Sequence, residues 1–109
     1  GIFLDSNVEL MDGVKDVNVY NKIFEAVEKV PGASNPHRVR SRMIGNRYII
    51  TLDIEVNPQI TITQAHEIAG AVEKSIESSI DNVYDILVHV EPAGECQTDE
   101  KFGVDKDMV

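Results

Sequence analysis

A glycine–asparagine pair, Gly45-Asn46, separates two alternating stretches, and the topology of the chain follows from it. After the pair, Tyr48, Ile50, Leu52, Ile54 and Val56 alternate with Ile49, Thr51, Asp53 and Glu55. Side chains on a strand point alternately to its two faces, so the first set meets a core and the second something wetter. Ile49 on the wetter side predicts partial cover there, as by another subunit. Before the pair, residues 37–44 place Arg38, Arg40 and Arg42 on one side and Val39 and Met43 on the other. Two residues with a glycine suit a tight turn, which makes the two strands an antiparallel hairpin. The arginine stripe reads as a solvated face that neutralises nearby acids.

Asn57-Pro58 breaks the second strand. Residues 61–80 then carry Ala65, Ile68, Ala69, Val72, Ile76 and Ile80 at helical spacing, and Thr61 with Gln64 forms a capping-box pattern. Residues 82–92 alternate again, with Tyr84, Ile86, Val88 and Val90 facing the core and Asp85, Leu87, His89 and Glu91 facing away, until Pro92 stops the strand. A strand–helix–strand crossover within one sheet makes its two strands parallel. An earlier helix over 18–30 buries Tyr20, Ile23, Phe24, Val27 and Val30, is capped by Asp16 or Asn18, and ends at Pro31-Gly32. The expectation is an α+β domain of order α-β-β-α-β: a three-stranded mixed sheet, its second strand central, with two helices on one face.

This topology gathers distant residues. The second and third strands run the same way, so Asp53, His89 and Glu91 end at one edge of the sheet, on the face away from the core. The hairpin brings His37 beside them, and His66, early in the long helix, lies near the same edge. In a simple hairpin register His37 would share the core-facing parity of Ile54. It therefore lies in the approach to the strand, or the register contains a bulge. Imidazoles with carboxylates suit zinc or another divalent transition ion, so His37, Asp53, His66, His89 and Glu91 are the candidate ligands. The pairs His89–Glu91 and His89–Asp53 also have the composition of an acid–base couple. No nucleophile elbow or glycine-rich phosphate loop accompanies them, so the chain does not read as an enzyme.

Composition narrows the partners. A formal charge of −9 over 109 residues disfavours nucleic acid and favours cations. The single cysteine, Cys96, rules out an internal disulfide framework. Cys-x-x-Cys is absent, which counts against a copper-chaperone or redox role. No apolar run is long enough to span a bilayer. The apolar start, with Ile2, Phe3, Leu4, Val8, Leu10 and Met11, reads as a terminal arm or the end of an element whose beginning is cut away. Residues 93–109 are acidic and weakly patterned, which predicts a flexible tail.

Gln64-Ala65-His66-Glu67-Ile68-Ala69, followed by His89-Val90-Glu91-Pro92, resembles the cytoplasmic C-terminal domain of the cation diffusion facilitator family. Pro31-Gly32, His37-Arg38-Val39-Arg40-Ser41-Arg42 and residues 48–56 fit the family's order and spacing, and Glu9-Leu10-Met11-Asp12 resembles the segment after its last transmembrane helix. The resemblance implies a ferredoxin-like, metallochaperone-like sandwich. It implies a juxtamembrane arm over 1–14, a metal-binding dimerisation domain over 15–92 and an acidic tail over 93–109. The parent would be a homodimeric membrane antiporter exporting zinc or a similar divalent ion on the proton gradient, with this domain on the cytoplasmic face of the membrane. His37, His66, His89 and Glu91 match the family's ligand positions, and Asp53 stands where some members carry histidine. The alternative is a free-standing ferredoxin-like domain that senses a ligand or serves assembly alone.

Overall fold

The computed structural model describes residues 17–94. Within them the order is α1 (Val17–Glu28), β1 (Ser34–Ile44), β2 (Arg47–Val56), α2 (Ile62–Ser79) and β3 (Val83–Pro92). The sheet runs β1-β2-β3, with β1 antiparallel and β3 parallel to the middle strand. The expected α-β-β-α-β architecture is therefore present. The anticipated arm over 1–14 and the tail beyond Gly94 lie outside the described residues.

β2 is central because it is the most apolar strand. Ile50, Leu52 and Ile54 are 0–1% exposed, and each such side chain contributes about 1.5–3 kcal/mol by leaving water. Against them pack Tyr20, Ile23, Phe24 and Val27 of α1, Val72 and Ile76 of α2, and Val39 of β1. Two polar ties add to this packing, one from α1 to the sheet and one between the helices. The Ser41 amide donates to the Tyr20 hydroxyl at 3.2 Å, and the Ser75 hydroxyl donates to the Ala26 carbonyl at 2.8 Å. Thr61 caps α2 as expected: its hydroxyl accepts from the Gln64 amide while the Gln64 side chain accepts from the Thr61 amide.

Two turns are set by glycine. Gly45 has φ +62 at the first position of the hairpin turn, where a primed turn requires it. Gly32 has φ +92, and a Cβ there would meet Ile68 Cδ1 at 2.9 Å. The loop from α1 to β1 thus passes directly over α2.

Three expectations are corrected. Tyr84 is 59% exposed rather than in the core, because the β2–β3 register shifts between Tyr48 and Ile49 and leaves Tyr84 as the unpaired extra residue. Met43, also expected inward, is 42% exposed on the rung it shares with Tyr48 near the hairpin turn. Asp53 was expected on a wet face but is 4% exposed, because β1 folds side chains over it.

Candidate metal centre

β1 is irregular at the place that matters. Its pairs with β2 run Ser34↔Glu55, His37↔Asp53 and Arg40↔Thr51, three steps along β1 for every two along β2. Each shift is a β-bulge, with one extra residue on β1. Each contains a residue with positive φ, Asn35 at +47 and Arg38 at +51. Asparagine tolerates this conformation better than most residues, and Arg38 is held in it. The first bulge beyond the turn resolves the parity question: it moves His37 from opposite Ile54 to opposite Asp53.

The parallel register of β2 with β3 pairs Asp53 with His89 and Glu55 with Glu91. Two successive rungs on the face away from the helices therefore read His37–Asp53–His89 and Ser34–Glu55–Glu91. His37 Nε2 lies 3.0 Å from Glu91 Oε1 and 3.8 Å from Asp53 Oδ2. His89 Nδ1 is 3.5 Å from Asp53 Oδ1, and Arg38 Nη1 is 3.2 Å from Asp53 Oδ2. His37 Nδ1 sits 2.7 Å from the Asn35 carbonyl. A carbonyl only accepts, so this nitrogen carries hydrogen and Nε2 is the atom turned to the acids. Asn35 Nδ2 donates to Glu55 Oε2 at 2.8 Å.

The electrostatics follow from this crowding. Burial opposes charge on His37, but the Asn35 carbonyl and the carboxylates of Glu91 and Asp53 outweigh it and hold the ring above its ordinary 6.5. Glu91 is raised above 4.5 by loss of solvent and by hydrogen bonding to and repulsion from Asp53, while His37 pulls it the other way. Both groups thus keep a proton longer than they would in water. Asp53 Oδ2, buried, makes no hydrogen bond of good geometry despite its nearness to Arg38. Arg38 and His37 therefore balance its charge without completing its hydrogen bonds.

One ligand atom each from His37, Glu55 and Glu91 lie within 4.8 Å of one another. Donors to one ion at 2.0–2.2 Å are separated by about 3.3–4.4 Å, so a small inward movement would complete a three-donor set. The fold brings His37, Asp53, His89 and Glu91 to one corner. The His89 side chain is 66% exposed and meets the corner only through Asp53. His66 is exposed on the second turn of α2 and is not among the grouped donors. Reading the sequence missed Glu55. The signal was there: it follows Asp53 on the same face, and the parallel register that sets Asp53 beside His89 sets Glu55 beside Glu91.

Comparison with known proteins identifies the family. Residues 12–93 match the family model described as the cation efflux protein, cytoplasmic domain. The chain belongs to that family. Relatives of this cation efflux domain include the magnetosome protein MamM of Magnetospirillum gryphiswaldense, 34% identical over 90 residues, 83% of this chain and 28% of that protein. The manganese efflux system protein MneS of Bacillus subtilis is 32% identical over 95 residues, 84% of this chain and 31% of that protein. The chain thus spans under a third of the length of either. Among solved structures, the metal-bound C-terminal domain of the CzcD transporter from Thermotoga maritima aligns with a TM-score of 0.72 at 36% identity, covering 76% of this chain and 96% of that one. A cadmium form of the MamM C-terminal domain carrying an aspartate-to-glutamate substitution aligns with a TM-score of 0.67 at 34% identity, covering 70% and 95%. The family is one of cation efflux proteins and not of enzymes, and its C-terminal domains share this ferredoxin-like fold. No helix among the described residues is long and apolar enough to cross a membrane.

Proposed function

We propose that this domain binds a divalent cation at the corner formed by His37, Asp53, Glu55 and Glu91, and that binding stabilises a homodimer of the parent transporter in its export-competent arrangement. The observation that carries the reading is the donor group of His37, Glu55 and Glu91 within 4.8 Å, beside the buried carboxylate of Asp53. His89 adds an imidazole at the exposed rim. His66 joins only an ion held between copies, since it stands apart from the group within one chain. The parent would be a proton-coupled membrane antiporter with this domain on its cytoplasmic side. That the domain aligns with only part of each relative supports this view over a free-standing sensor.

Zinc is the first ion in this reading, because imidazole with carboxylates is a zinc donor set. Manganese is the second, favoured by three carboxylates against one well-placed imidazole. In both cases the ion would supply positive charge where acids crowd, and the chain's residues would hold it without chemistry. Two chains of charge −9 repel each other, and bound cations would relieve that repulsion and shift a pre-existing equilibrium toward the dimer. Equilibrium dialysis against zinc and manganese, with His37→Ala beside the unaltered chain, tests the site. Uptake lost in the variant supports it, and no uptake by the unaltered chain ends it. Sedimentation that does not change across a zinc titration would end the dimer switch alone.

A further inference from the structure

Asn35 is joined to two of the three grouped donors by different atoms. Its main-chain carbonyl takes the Nδ1 hydrogen of His37 at 2.7 Å. Its side-chain amide donates to Glu55 Oε2 at 2.8 Å. Its backbone is left-handed at φ +47, within the bulge that turns His37 toward Asp53. The Ser34 hydroxyl, next in the chain, donates to the Glu55 carbonyl at 3.2 Å and pins the same rung. Nothing here buries Asn35, which is exposed, so core packing does not explain its contacts. We infer that Asn35 is the positioning residue of the metal centre: its carbonyl occupies Nδ1 and so turns Nε2 of His37 to the acids, and its amide holds the Glu55 carboxylate in the same donor group.

This rests on the corner being a metal site and adds how its donors are arranged. A hydrogen bond to the far ring nitrogen fixes which nitrogen can ligate, and an amide on one carboxylate oxygen leaves the other for the ion. Asparagine meets both demands. It accepts a left-handed backbone at little cost and carries a donor of the right length, whereas glycine supplies only the first and aspartate would set a carboxylate against Glu55.

The test uses the full chain with zinc and manganese as probes. Asn35→Gly keeps the backbone conformation and the carbonyl but removes the amide, and Asn35→Asp keeps the size but replaces the donor with a carboxylate that repels Glu55. Both should weaken uptake of the ion about 10–100-fold, with the melting temperature in chelator unchanged for Asn35→Gly. In a Glu55→Ala background, Asn35→Gly should change uptake by less than about twofold, because its effect runs through Glu55. Long-range proton–nitrogen NMR of the zinc-loaded chain should show His37 bound through Nε2 with hydrogen on Nδ1, in both the unaltered chain and Asn35→Gly. Uptake by either single variant within twofold of the unaltered chain, an equal loss in the Glu55→Ala background, or ligation through Nδ1 would overturn the inference. Failure of the unaltered chain to bind either ion is a separate result, and it removes the metal site and this inference together.

Discussion

At the scale of single residues, His37 sets the chain's response to pH. Its folded value lies above 6.5, so without metal the folded chain holds this proton more tightly than the unfolded one. That stabilisation is full below about 6.5 and is lost as pH rises through the folded value. Glu91, also raised, acts with the same sign lower on the scale, its contribution present below 4.5 and fading as pH climbs through its folded value. In chelator, the melting temperature should therefore fall as the buffer is taken from slightly acid to slightly alkaline, and His37→Gln should flatten that slope. Zinc must displace the same protons, so the stabilisation it adds should grow over the same interval. A melting temperature in chelator that rises across it would show that His37 is not held above its ordinary range. Glu55→Ala, which deletes one of three grouped donors, should cost zinc affinity while leaving the circular dichroism spectrum in place, as read by dialysis and far-ultraviolet spectroscopy.

At the scale of elements, stability rests on how α2 is seated. The capping box at Thr61 satisfies two amides that the helix cannot bond internally. Thr61→Ala should lower unfolding free energy by about 1 kcal/mol, measured in urea. Gly32 is the more sensitive point, because strain and crowding act together. Gly32→Ala should cost about 1–3 kcal/mol through its left-handed backbone, and more from the clash with Ile68 Cδ1. Combining it with Ile68→Val, which removes that atom, should recover the crowding part only, so the two substitutions will be non-additive. Equal losses with and without the Ile68 change would mean the loop moves aside freely.

At the scale of the whole molecule, charge dominates. A chain of −9 brought against its copy meets repulsion that salt screens over about 8 Å at physiological ionic strength. Zinc should therefore tighten self-association most at low ionic strength and least at high, where salt already does part of the work. Sedimentation equilibrium at two ionic strengths, with zinc and with chelator, reads this directly. A zinc effect independent of salt would point to an ion bridging two copies by ligation instead of by relief of charge.

How much of this could be read from the residues alone depends on the range of the interaction involved. Alternation about Gly45-Asn46, the Thr61–Gln64 cap and the helical stripes are local, and they sufficed for the element order, the central place of β2 and the convergence of His37, Asp53, His89 and Glu91. Registers are different, because an extra residue on one strand costs little locally and moves every side chain beyond it. The bulges around His37 turned it to face Asp53 and brought Asn35 against Glu55; the one at Tyr84 put an aromatic ring in solvent. Asp53 became buried only because Arg38 and His37 close over it from another strand. Periodicity along one strand is written in its own side chains, whereas alignment between strands is decided by the packing of the whole sheet, and only the folded chain could show which acids share a corner.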